Sequence, residues 1–249
     1  MLTDKEKEIV EGSLVPIRLS ELRVINYTGV FNLKRLQEIN QYLFQDLPKL
    51  GKDYAQFYKP GEYRAELLPW KVWIKNRRMP GVKEVSTIVY SSMNKLVIKE
   101  TEDFLKRNIN IMKMKRMQVN TFSKKMAEIY IKLDYLHPFR DGNSRTIREF
   151  TREVALKAGF DMNWEKSNQN QQTRNDLYIA RDVAVNKLAY DRANIAELKY
   201  DIEMYMKPFK NAKTLENILS ENIQKIRVQK RKMSIILPRK SDNSQDLSR

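Results

Sequence analysis

Apolar residues recur at steps of three and four along most of this chain, the spacing of one buried helical face. The clearest run is Phe122, Met126, Ile129, Tyr130 and Leu133. It predicts a helix capped by Asn120 or Thr121 and ended by Pro138, because the residue before a proline is pushed out of helical dihedrals. A second stripe, Ile147, Phe150, Thr151 and Val154, predicts a helix from Asn143 to about Ala158, with Gly159 as its stop. Leu33, Leu36, Ile39 and Leu43 predict a third from Asn32 to about Asp46, with Phe44 beside the stripe. Further helices are expected over 94–107, 176–190, 195–206 (stopped by Pro208) and 212–232, with a short charged one from Thr3 to Val10 that ends at Glu11-Gly12-Ser13. Met112, Met114 and Met117 read as gap-filling core. The exception to the helical pattern is 65–90. There Val72, Trp73 and Ile74 are strand-like, Asn76–Gly81 is turn-rich, and Val82–Tyr90 is again β-branched, which predicts a small hairpin. The fold expected is mainly α with a β-hairpin flap.

The chemistry gathers where the first two helices meet. His137, the only histidine, sits where a helix stops and a loop begins, a place where a rigid scaffold can hold a reactive side chain. Gly142 and Asn143 suit a tight turn, and the helix after it starts with unpaired N–H groups and the positive end of its dipole. Arg145, Arg148 and Arg152 share one face of that helix. A loop, a helix N-terminus and stacked arginines form a cradle for a polyphosphate. Asp141 is placed to hold Mg²⁺ against phosphate oxygens, and His137 to take a proton from a hydroxyl.

In order, His137, Phe139, Asp141, Gly142, Asn143, Arg145 and Arg148 resemble the signature of the Fic family, His-x-Phe-x-(Asp/Glu)-Gly-Asn-(Gly/Lys)-Arg followed by a second Arg three residues on. Ser144 departs from it, standing where Gly or Lys is commoner. The text Leu36–Asp46 resembles the first helix of that family's core, and Pro60-Gly61-Glu62-Tyr63-Arg64 its aromatic-Ala-Gly-x-x-Arg segment, with Pro60 in place of Ala. The resemblance implies a Fic-type helical core over 32–190, with a flap at about 65–90 and the signature at 137–148. Around it lie a lead-in at 1–31, C-terminal helices at 191–238 and a disordered tail at 239–249.

The activity implied is transfer of AMP from ATP to a Ser, Thr or Tyr hydroxyl of a target protein, with release of pyrophosphate. His137 would be the general base, Asp141 the Mg²⁺ ligand, and Gly142, Asn143, Ser144, Arg145 and Arg148 the phosphate site. Phe139 would anchor the loop. Val72, Trp73, Ile74 and Lys75 of the flap would dock the target by strand addition. Tyr178 is a nucleobase neighbour by family position, or a packing residue. The family's inhibitory helix, carried in the same chain or on a separate antitoxin, presents a glutamate to the second motif arginine, Arg148. Glu221, in the expected 212–232 helix, is the preferred candidate and Glu11 the second. Other nucleotide transfer, phosphate transfer as in the related Doc branch, and removal of AMP are alternatives within the family.

Composition narrows the field further. There is no cysteine in 249 residues, which excludes disulfides, thiolate metal sites and a Cys nucleophile. The N-terminus has no apolar signal core and no apolar run approaches the roughly 20 residues that span a bilayer, so a cytoplasmic protein of bacterial style is expected. A net charge of +16 draws polyanions: nucleotide phosphates, an acidic protein target or nucleic acid. The competing reading from another class is therefore a non-enzymatic basic module that binds nucleic acid or a partner. The oligomeric state is left open.

Overall fold

The computed structural model describes residues 3–68 and 70–226. Its helices, in chain order, are α1 (Asp4–Val24), α2 (Leu33–Phe44), α3 (Lys52–Phe57), α4 (Lys95–Asn108), α5 (Ile111–Met114), α6 (Val119–Leu136), α7 (Asn143–Lys157), α8 (Gln171–Arg192), α9 (Ala196–Met206) and α10 (Leu215–Asn222). The strands β1 (Trp73–Arg77) and β2 (Ser86–Tyr90) pair antiparallel, as do β3 (Phe160–Met162) and β4 (Ile223–Lys225). No described helix is long and apolar enough to cross a membrane.

α6 is the axis. Phe122, Met126, Ile129, Tyr130 and Leu133 are all buried, as their spacing predicts, against α4, α7, α8 and α10. Its start differs from expectation: it begins at Val119 after Gln118, which makes no side-chain cap. α2 and α4 are capped as their sequences suggest, by Asn32 and Asn94. β1 and β2 form the expected hairpin, with Trp73 opposite Tyr90 and Arg77 opposite Ser86.

Three expectations about helix ends fail. The first helix does not end at Gly12 but runs through Pro16 to Val24, because Val15 and Leu22 lie in the main core and packing outweighs local propensity. α8 starts at Gln171, five residues before the apolar pattern begins, behind a capping box of Asn170 and Thr173. The helix expected over 212–232 is confined to Leu215–Asn222; the chain then extends as β4 and pairs with β3. Its residues beyond Ile226, and the tail at 239–249, lie outside the described residues. Of the three methionines, Met114 is core, Met117 is half-buried and Met112 is exposed.

Candidate active site

The loop between α6 and α7 is shaped by contacts of its own residues. Gly142 has φ +76°, and a Cβ there would lie 2.2 Å from the Phe44 ring, so only glycine fits the turn. Asn143 receives the Phe139 N–H at 2.9 Å and donates to the Phe139 carbonyl at 2.7 Å. The Asn143 side-chain amide thus clamps the loop. Asn40 of α2 pins the same loop, donating to Thr146 Oγ1 at 3.1 Å and accepting from the Gly61 N–H at 2.8 Å. Phe139 is fully buried, as an anchor should be.

His137 ends α6 in the left-handed region, at φ 47° and ψ 58°, which turns its ring away from the helix. The ring stacks on Tyr90 of β2, with centroids 3.9 Å apart. Arg64 holds the backbone from beneath, donating to the His137 carbonyl at 2.7 Å and to the Ser91 carbonyl at 2.7 Å. Flap stem and loop are therefore one unit. Burial lowers the imidazole pKa from its ordinary value, with Asp134 acting in the opposite direction. A neutral imidazole is the form that accepts a proton.

His137 opens onto a cavity of about 790 Å³ walled by the loop, the start of α7, α8, the flap residues Lys75 and Arg77, and Gly12 and Pro16 of α1. Arg145, Arg148 and Arg181 all border it. Arg148 Nε is buried with no hydrogen-bond partner, a donor awaiting an acceptor. The guanidinium groups of Arg77, Arg181 and Arg148 lie 4.5, 5.4 and 5.9 Å from the Tyr178 ring. Burial raises the Tyr178 hydroxyl pKa, but the three cations outweigh it and the net shift is downward. Arg152 is not part of this cradle. It turns to Glu149, with a contact of 2.6 Å, and leaves the face it was expected to share.

No described group of three or more His, Asp or Glu is arranged as a metal cage. A lone carboxylate at a phosphate site nevertheless suits Mg²⁺, which takes one or two protein carboxylates and completes its shell with phosphate oxygens and water. Asp141 fits: Oδ1 accepts the Gly142 N–H at 2.5 Å, and no described hydrogen bond engages Oδ2.

The two candidate inhibitory glutamates separate clearly. Glu221 is 59% exposed and pairs with Lys213 at 3.2 Å, on a helix that packs against α6 and α8 away from the loop. That corrects the preference for it. Glu11 of α1 instead reaches into the site: one oxygen contacts Arg145 Nη2 and the other accepts from Tyr58 Oη at 2.5 Å. Its partner is the first motif arginine, not Arg148 as expected. Of the flap residues, Lys75 borders the cavity, Val72 and Trp73 are half-buried, and Ile74 is 49% exposed.

Four neighbours of the site had no motif to announce them: Tyr58, Tyr90, Asp134 and Arg181. Asp134 carries the one sequence signal among these, since it stands one helical turn before His137.

A helical bundle thus sets a histidine and an arginine-lined helix start around one cavity beside a β-hairpin. The chain belongs to the Fic/DOC family, whose profile matches residues 30–155. Protein adenylyltransferase VbhT of Bartonella schoenbuchensis is 26% identical over 167 residues, 67% of this chain but 30% of that protein. Among solved structures, BepC of Bartonella tribocorum with bound AMPPNP has a TM-score of 0.56 at 14% identity, covering 91% of this chain and 90% of that one. The N-terminal Fic domain of an effector from Bartonella sp. AR 15-3 has a TM-score of 0.57 at 16% identity, covering 90% and 84%.

Proposed function

We propose that this protein transfers AMP from ATP to a hydroxyl side chain of a protein. The observation that carries the reading is the juxtaposition, across one cavity, of a buried, neutral-leaning His137 with Arg148, whose buried Nε has no hydrogen-bond partner. The similarity to VbhT and to a Fic structure with bound AMPPNP supports it. ATP enters with its phosphates over the start of α7. Backbone N–H groups of the turn, Arg145 and Arg148 neutralise the phosphate oxygens, and Ser144 lies at the same helix start. Asp141 would hold Mg²⁺, which would supply charge screening at the phosphates. The target segment lies along β1, bringing its hydroxyl to His137. His137 takes the hydroxyl proton as the oxygen bonds to the α-phosphorus and the bond to the β-phosphate oxygen breaks, releasing pyrophosphate.

The resting chain is restrained. Glu11 occupies Arg145, and Tyr58 holds Glu11 in place, so α1 acts as the brake that must yield before the phosphates seat fully. Mass spectrometry of the protein incubated with ATP, Mg²⁺ and bacterial lysate tests the reading. One adenylyl group on a Ser, Thr or Tyr of a protein is the expected product; a phosphate group alone in its place would replace the reading with phosphate transfer.

A further inference from the structure

Asp134 lies on the last turn of α6, three residues before His137, with its side chain almost wholly enclosed. Its Oδ2 is clamped by Arg181, with Nε at 3.0 Å and Nη2 at 2.7 Å. Its Oδ1 is buried without a hydrogen-bond partner. His137 Nδ1 is buried without one as well, and the two orphaned atoms lie 3.8 Å apart. Buried polar atoms are rarely left unpaired, and here a donor-capable nitrogen and an acceptor oxygen lie side by side.

The identities of the atoms fix the direction of the bond. A guanidinium only donates, so its fork keeps Asp134 a carboxylate. Burial alone would raise the Asp134 pKa, but Arg181 and His137 outweigh it and hold it well below the usual carboxylate range. An ionised Oδ1 only accepts, so the proton of the pair belongs to His137 Nδ1. The Tyr90 stack and the left-handed backbone at His137 limit the ring to this orientation.

We propose that Asp134, held by Arg181, is a positioning residue that fixes His137 as the Nδ1–H tautomer and leaves the Nε2 lone pair to receive the proton of the incoming hydroxyl. After transfer the same carboxylate stabilises the imidazolium until Nε2 returns its proton to solvent. Arg181 also brings Nη1 within 3.4 Å of Ser144 Oγ, tying the base's support to the first turn of α7. The consequence for catalysis rests on the AMP-transfer reading; the tautomer does not.

His137 is the only histidine, so selective ¹⁵N-histidine labelling reads it without assignment. Wild type is recorded at a pH well above the imidazole titration. The expected spectrum shows Nδ1 protonated and Nε2 bare; a dominant Nε2–H form overturns the proposal, and this spectrum needs no variant to fold. In Asp134→Asn the carbonyl must face the Arg181 donors, which turns the NH₂ towards Nδ1. The tautomer should invert, and transfer should fall roughly 10²–10⁴-fold while ATP binding holds. An Asn variant that keeps the Nδ1–H form and full transfer also overturns it. The Nδ1–H spectrum in a protein that never transfers AMP would discard the AMP-transfer reading and leave the positioning intact.

Discussion

Glu11 and Arg145 stand 134 positions apart in the chain and form a direct ion pair at the mouth of the phosphate loop. A carboxylate there competes with a phosphate oxygen for the same guanidinium. The Arg145 side chain is 36% exposed, so solvent weakens the pair, and its removal is expected to matter by about tenfold and not by several decades. Glu11→Gly should therefore raise self-labelling with labelled ATP about tenfold. Glu221→Gly should leave it unchanged, since the Glu221 carboxylate pairs with Lys213, away from the loop. An increase with Glu221→Gly and none with Glu11→Gly would reverse the assignment of the brake.

Tyr58 is the second half of that contact. Burial and then the hydrogen bond to Glu11 raise its pKa, so its hydroxyl stays protonated and donating at neutral pH. Tyr58→Phe removes the donor and keeps the ring. The expected result is partial release of labelling, smaller than for Glu11→Gly, with little added effect when the two are combined. Full additivity would show that Tyr58 acts elsewhere.

Arg148 makes a separate prediction. Its Nε has no hydrogen-bond partner and its guanidinium lies over the Trp164 and Tyr178 rings, so Arg148→Met, which keeps an apolar stem beside those rings, takes little from the fold. It removes a charge-assisted bond to phosphate of about 1.5–3 kcal/mol, or roughly 10–100-fold in affinity. Calorimetry with ATP and Mg²⁺ should show that loss with a nearly unchanged melting temperature. A large drop in melting temperature would mark Arg148 as structural.

The His137 shift gives a pH dependence. Its pKa is lowered in the folded state, chiefly by burial, against Asp134 and with help from Lys75 and Arg64. The base therefore stays neutral to a lower pH than free histidine, and the acid limb of kcat/KM should lie below about 6.5. For stability the unfolded chain binds the extra proton first. The contribution is whole above the unfolded value and falls as pH drops through the window towards the folded value. An acid limb at or above about 6.5 would contradict this.

The site was legible in the sequence where chemistry is local. His137, Asp141, Gly142 and Arg148 lie within one turn and its flanks, and their spacing alone brought them together. The hairpin and the helices α2, α6 and α7 were legible because their periodicity coincides with burial. What the sequence hid is long-range. α1 passes through Glu11-Gly12-Ser13, which read as its end, and it continues because Val15 and Leu22 enter the core. The sequence offers Glu11 as the second inhibitory candidate, but its partner Arg145, 134 positions away, was not legible. Arg181 sits in the middle of α8, and nothing local marks it as the clamp on Asp134, 47 positions away. Arg152 looked like a member of the cradle, and only the neighbouring Glu149 explains why it is not.

The most direct measurement uses ATP labelled at either the α- or the γ-phosphate, with Mg²⁺ and lysate, in the Glu11→Gly background, with His137 intact or changed to Ala. AMP transfer predicts that the α-label alone moves to protein and that His137→Ala lowers it roughly 10²–10⁴-fold. Movement of the γ-label alone, or α-labelling that survives the loss of His137, would contradict it.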